Sequence, residues 1–466
     1  MSSIKFRCLC LLVFSASINA AMAQVLTMEQ ALQTAVSNYP VIKAKQNYLE
    51  ASRANERQNR REALPNLTVA AQQDFGTVNG QNGPLYGFGG YGVASSGLPL
   101  PNQNWNSAFG ALYLANFSWD FFAFGRVRNR IAVASRSVER EDADYQQELF
   151  QHQVRVAGAY LNLLAAQRLT RSWQNNLNRA DTFKLVVTAR AKNGLIAGVD
   201  SSLANAELSS ARIQLIRSRD TEQEMANRLS VLIGVPYKEF IADTVFITRI
   251  PSVLQAPVID QTLHPTLNWY RKRIEVSEAQ TKYLRKLSLP VFSLFSVFQT
   301  RGSGFGSDYA QDQSSFNQNY LKGIEPVRSN YLLGIGVTWN LTSPLRISQQ
   351  AASQNFLSAA FRNEFDLANQ QLQAQLTLSE TKIANAVATY QEAPLQVKAA
   401  SDAFLQKSVL YRNGLTNIVD VTQALYTLNR AETDRDIAYN NVWQAFLLRA
   451  AASGDFQLFL NGLKTN

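Results

Sequence analysis

The stretches "NGLIAGVD", residues 193–200, and "NGLTNIVD", residues 413–420, decide how this chain is read. Asn, Gly, Leu, Val and Asp recur in them 220 positions apart. The likeness extends upstream. "YPVIKAKQNYLEASRANERQNRREALPNL" begins at Tyr39 and "HPTLNWYRKRIEVSEAQTKYLRKLSLPVF" at His264. Pro40, Glu50, Ser52, Ala54, Leu64 and Pro65 match Pro265, Glu275, Ser277, Ala279, Leu289 and Pro290. Trp119 pairs with Trp339 and Arg126 with Arg346. The matches before Pro65 lie 225 apart and the later ones 220, so the net length difference falls in the Gly-rich interval between Pro65 and Trp119. Loops tolerate such changes. The chain reads as two tandem copies of one unit. The first spans residues 24–235, a joint 236–263, the second copy 264–455 and a tail 456–466.

Each copy reads helix, strand, loop, strand, very long helix, turn, helix. The first helix is expected from Met28 to Ala63, with Thr27 as its cap and Pro65 beyond its end. Residues 126–192 contain no proline and one interruption, Gly158. Within them Tyr145, Leu149, His152, Val156, Ala159 and Leu163 keep heptad steps. At ~1.5 Å per residue such a helix is roughly 100 Å long. Its counterpart, 346–411, contains Pro394, where a kink or a local break in bonding is expected. The helix after each turn is about half as long, as is the first helix of each copy. Half-length helices meeting end to end would match one long helix.

Composition removes several function classes. Lys5 and Arg7, an apolar run from Cys8 to Ile18 and Ala21-Met22-Ala23 form a cleavable export signal, with Gln24 as the new N-terminus. A short anchor is the alternative, but the run is too brief to span a bilayer. No cysteine follows Ala23, so that junction offers no lipid attachment site. Cys8 and Cys10 are the only cysteines and would leave with the signal. His152 and His264 lie far apart. No metal, cofactor or nucleophile is expected, and no convergent acid–base set supports an enzyme. The net charge is +10, yet basic and acidic residues mix, as in "RSVEREDAD" at 136–144. That is a solvated helix face, and no nucleic-acid partner is expected. No later run reaches ~18 apolar residues, so any entry into a membrane is by strands.

Four segments alternate with period two. In "YLLGIGVTWNL", Tyr331, Leu333, Ile335, Val337, Trp339 and Leu341 share one face. In "ALYLANFSWDF", Tyr113, Ala115, Phe117 and Trp119 do so. In "NLTVAAQQDF", Leu67, Val69, Ala71 and Phe75 do so. "VFSLFSVFQT", from Val291, alternates less cleanly. A soluble, half-buried sheet fits these patterns, and so do tilted membrane-spanning strands of about ten residues. Trp119, Tyr331 and Trp339 then lie where interfacial aromatics belong. Four strands cannot close a barrel, for which about eight is the minimum. An open edge in lipid leaves backbone groups unpaired. A membrane barrel would therefore be shared, with eight, twelve or sixteen strands from two, three or four copies. "GFGGYG" from Gly87 formally matches a nucleotide-binding pattern but follows no βα unit and reads as loop.

The ordered set resembles the TolC-like outer-membrane efflux proteins. "AGAYLNLLAAQRLT" from Ala157 is similar to that family's long helix, and "FSWDFFAFGRVRNRIA" from Phe117 to its strand-to-helix junction. "YRNGLTNIVDVTQALYTL" from Tyr411 is similar to its hairpin tip. The resemblance implies a mainly α fold with a small membrane β-barrel. Tandem long helical hairpins and four transmembrane strands per chain would build a homotrimer with a shared twelve-stranded barrel and an α-helical periplasmic tunnel. It implies a non-enzymatic exit duct in the outer membrane, in contact with lipid, serving efflux or type I secretion. Its partners would be a periplasmic adaptor and an inner-membrane transporter. A non-channel periplasmic coiled-coil scaffold is the competing reading.

By position, Asn193, Gly194, Leu195, Asn413, Gly414, Leu415 and Thr416 would form the adaptor-docking tips. Tyr411, Arg412 and Asp420 would lie at the periplasmic gate, with Gln423 where the family carries a second acid. Each has a structural alternative. The glycines suit helix C-termini that need positive φ, and Asp200 and Asp420 suit helix N-termini.

Overall fold

The computed structural model describes residues 25–80, 97–251 and 263–462. The export segment, the "GFGGYG" loop and much of the 236–263 joint lie outside the described residues. The chain divides into two compact units. One comprises Met1–Gln46, Asp144–Asn268 and Leu367–Asn466, the other Asn47–Ala143 and Trp269–Asp366.

The first copy contains β1 (Val25–Leu26), α1 (Met28–Asn38), α2 (Pro40–Arg61), β2 (Asn66–Thr77), β3 (Ser107–Phe122), α3 (Arg126–Lys192) and α4 (Gly198–Ile233). Then come β4 (Ile241–Ala242) and α5 (Val245–Thr248). The second copy contains α6 (Pro265–Lys286), β5 (Val291–Ser303), α7 (Tyr320–Ile324), β6 (Arg328–Thr338), α8 (Ser343–Arg412), α9 (Ile418–Ser453) and α10 (Phe456–Asn461). Thr27 caps α1 in a reciprocal box with Gln30.

The first helix is not continuous. It breaks at Tyr39, which is extended at φ −66° and ψ 121°. Pro40 disfavours a helical residue before it and suits the first position of the next helix. Helix α8 runs on through Pro394, whose missing N–H leaves one i→i−4 bond of the helix unmade. Of the heptad on α3, His152, Val156, Ala159 and Leu163 are buried, while Tyr145 and Leu149 are half-buried.

In the first unit, Tyr160, Trp443, Phe446 and Phe459 are fully buried. The tail is thus no loose end: α10 inserts Phe456 and Phe459 into this core. The joint also carries structure. β1 pairs in parallel with β4. The Tyr160 hydroxyl donates to the Leu26 carbonyl at 2.6 Å and accepts from the Asp243 N–H at 2.8 Å. Burial pushes that phenol up to about 12.

Helix ends meet as the half-lengths implied, and they do so twice. Gly234 follows α4 with φ +68°, and a Cβ there would lie 2.9 Å from that of Asn38. Its counterpart Gly454 follows α9 with φ +75°, and a Cβ there would lie 2.7 Å from the His264 ring. His264, the counterpart of Tyr39, accepts the Thr266 N–H on Nδ1 at 3.1 Å.

In the second unit, β2, β3, β5 and β6 form one antiparallel sheet in that order. The two copies join at β3–β5. Register aligns Val69, Ala115, Phe298 and Tyr331 across all four strands. Leu67, Phe117, Ser296 and Leu333 form the adjacent row on that face. The irregular alternation of β5 has a local cause. A Cβ on Gly334 would sit 2.6 Å from Phe295, so the aromatic ring covers the glycine of the neighbouring strand.

Candidate functional site: paired helix tips and an open sheet

α3 and α8 end in the same way. Gly194 and Gly414 take left-handed φ of +70° and +77°. The Leu195 N–H donates to the Arg190 carbonyl at 3.0 Å and the Leu415 N–H to the Leu410 carbonyl at 2.9 Å. The glycine N–H groups reach the Ala191 and Tyr411 carbonyls, 3.1 and 3.0 Å away. These 6→1 and 5→2 bonds are Schellman closures, which glycine forms without Cβ penalty. The helices that follow differ. Asn417 caps α9 by accepting the Asp420 N–H at 3.0 Å, whereas Ala197 gives α4 no side-chain cap.

The two tips are bonded to each other through the last turns of α8. The Arg190 guanidinium donates to the Tyr411 carbonyl at 2.9 Å and also to the Arg412 carbonyl. It lies 5.5 Å from the Tyr411 ring centroid. A cation at a helix C-terminus satisfies orphan carbonyls and opposes the negative end of the dipole. The Tyr411 hydroxyl points to Asp200 at 3.4 Å. Asp420, the counterpart of Asp200, accepts from Thr416 at 2.5 Å and from Lys407 at 3.1 Å. Both first-turn aspartates therefore reach partners on α8 or the turn after it.

Thr416 and then Lys407 hold the Asp420 carboxyl below the usual carboxylate range. Burial, then Asp200, pushes the Tyr411 phenol up. Tyr411 is buried with Phe183, Val187, Ala204, Ile418 and Val421. Asn193, Gly194, Leu195, Arg412, Asn413, Gly414, Leu415 and Gln423 are exposed, and Thr416 is half-buried. A groove of about 320 Å³ lies beside the tips between α3 and α8, lined by Phe183, Val186, Phe404 and Leu405. Sequence reading missed Arg190 and Lys407. Their counterparts in the other copy are Leu410 and Val187, so the duplication conceals both.

The sheet has two edges unpaired within the chain, β2 and β6. Its apolar face is open: Val69 is 77%, Leu333 68% and Tyr331 86% exposed. Trp119 and Trp339 make equivalent contacts to the backbone. The Trp119 indole N–H donates to the Ala63 carbonyl, and that of Trp339 to the Ser288 carbonyl, each at 3.0 Å. Both acceptors follow the helix preceding the sheet in their copy. Each indole thus ties the end of a helix to the sheet. Among the described residues no helix is long and apolar enough to cross a membrane, and no cluster of His, Cys, Asp and Glu has the makings of a metal site.

The described residues thus form long duplicated helical hairpins and an open, apolar four-stranded sheet. The chain matches the sequence model of the outer membrane efflux protein family over residues 31–235. Its fold is shared with the outer-membrane channel OprN, at 17% identity and a TM-score of 0.73, over 92% of this chain and 90% of that one. VceC from Vibrio cholerae gives 17% identity and 0.71, over 92% and 96%. The CmeC channel of Campylobacter jejuni gives 13% and 0.71, over 92% and 85%. No curated protein matches the chain.

Proposed function

We propose that this protein is the outer-membrane exit duct of a tripartite efflux or type I secretion assembly. One observation carries the reading: a sheet with an exposed apolar face and two free edges, borne on helical hairpins. Unpaired backbone in lipid costs several kcal/mol per group, so the sheet is completed by further copies. Three copies give the twelve strands of the family's barrel. Substrate passes by diffusion, with no chemistry on the chain. Planar-bilayer recording of the purified protein tests this: discrete conductance steps are expected, and their absence would overturn the reading. The scaffold alternative predicts recovery without detergent in fractionation.

The tips at Asn193, Gly194 and Leu195 and at Asn413, Gly414, Leu415 and Thr416 dock a periplasmic adaptor, which links the duct to an inner-membrane transporter. The neighbouring groove takes an apolar side chain of that adaptor. Tyr411, Arg412 and Asp420 belong to the periplasmic gate, held shut in part by Tyr411–Asp200 and Lys407–Asp420. Gln423 leaves Asp420 without a second acid one turn on, which weakens cation binding at the mouth. Asp420→Ala should ease opening, read as higher conductance and altered cation block; unchanged values would remove Asp420 from the gate. Trp119, Trp339 and Tyr331 flank the lipid zone. The two repeats, 24–235 and 264–455, form equivalent staves of the wall, joined through 236–263.

A further inference from the structure

Gly158 has no use in the duct reading. It sits inside α3, where glycine costs about 1 kcal/mol relative to alanine. Its backbone does not take the positive φ that favours glycine. Nor is it packed too closely for a side chain. A Cβ would meet only Leu447, at an ordinary 3.7 Å. What the missing side chain does is leave room. Gly158 lines a solvent-open cavity of about 700 Å³, a groove between α3, α8 and α9 within the first unit. That volume lies in the range of small-molecule sites.

The cavity wall is chemically biased. Lys382 and Asn385 of α8 line it beside Asn441 and Gln444 of α9. The Gln444 amide is oriented by donating to Asn162 Oδ1 at 3.0 Å. Ala386, Ala445, Leu447 and Leu448 supply the apolar part. No carboxylate is among the lining residues, and among the described residues no acid forms an ion pair with Lys382. One free ammonium, several amides and an apolar wall select for charge of one sign.

We propose that this cavity is a binding site for a small apolar carboxylate, its anionic group against Lys382 and its hydrocarbon against α3 and α9 at Gly158. The site belongs to the single chain and does not depend on whether the protein conducts. The probe is 1-naphthoate, with 1-naphthylmethylamine as the cationic counterpart, titrated into nanodisc-held protein and followed by saturation-transfer NMR. The carboxylate should bind and the amine should not. Lys382→Gln, an exposed position, should weaken naphthoate about tenfold, as expected for loss of one charge-assisted contact. Gly158→Ala should weaken it as well, while unfolding no earlier than the parent. Equal binding of acid and amine, or affinity unchanged in both variants, would overturn the site. Weaker binding in Gly158→Ala accompanied by earlier unfolding would overturn it too, since Gly158 would then serve packing.

Discussion

Four glycines with left-handed backbone form two equivalent pairs, and the structure sets them apart energetically. Gly194 and Gly414 close the tips, and Gly234 and Gly454 end the helices that return from them. An L residue in that conformation costs roughly 1–2 kcal/mol. At Gly194 nothing lies within 4 Å of an added Cβ, and at Gly414 only the flexible end of Arg190 does, at 3.9 Å. Alanine at either tip should therefore cost the backbone penalty alone. At Gly454 the Cβ would also press on His264, 2.7 Å from its ring and 2.9 Å from its Cα. Overpacking of that kind adds about 1–3 kcal/mol, so Gly454→Ala should cost about 2–5 kcal/mol. Urea unfolding in detergent, followed by far-UV circular dichroism, measures the difference. Gly414→Asn should be milder than Gly414→Ala, because asparagine tolerates left-handed backbone. Tip variants as costly as Gly454→Ala, or an asparagine no better than alanine, would refute the reasoning.

Other outcomes follow from the same geometry. A bulky residue at Gly414 should impair efflux in cells while the oligomer stays intact; persisting efflux would remove the tip from docking. Trp119→Phe and Trp339→Phe should each cost about 1 kcal/mol, the usual net value of one hydrogen bond, whereas a purely interfacial ring would show no dependence on its helix-end acceptor. Urea unfolding of Ala63→Pro, which keeps the carbonyl but alters the helix end, combined with Trp119→Phe gives the coupling. His152 and His264 are held below the ordinary histidine range, His152 by burial and then Arg155, His264 by burial. The unfolded chain then takes up protons first. Stability should be full above about pH 6.5 and fall as acid is added, with His152→Leu flattening that limb of a melting-temperature profile.

Much of this fold could be read in the residues because each signal was local. The period-two runs locate all four strands, and the glycine turns locate both hairpin tips. The break at Tyr39 was available too, since Pro40 stood in plain view, but helical periodicity continues across it. Other features depend on contacts between distant segments. Nothing in "VFSLFSVFQT" announces that Phe295 covers Gly334, because that glycine lies on another strand. The indole bonds of Trp119 and Trp339 go to backbone carbonyls, which carry no sequence identity. Arg190 was hidden for a different reason. Comparison of the copies favours what they share, while the tip clamp rests on what they do not.

The pairing of β3 with β5 has a consequence for timing. Phe117 must find Ser296, and Trp119 must find Leu294, although the whole of α3 and α4 lies between them in the chain. A chain delivered N-terminus first presents β2 and β3 as a lone hairpin, apolar on one face, long before its partner strands emerge. Two strands alone are at best marginally stable in water, and such exposed surface aggregates readily. The duplicated design therefore leaves β2 and β3 without their partner strands until the second copy has emerged.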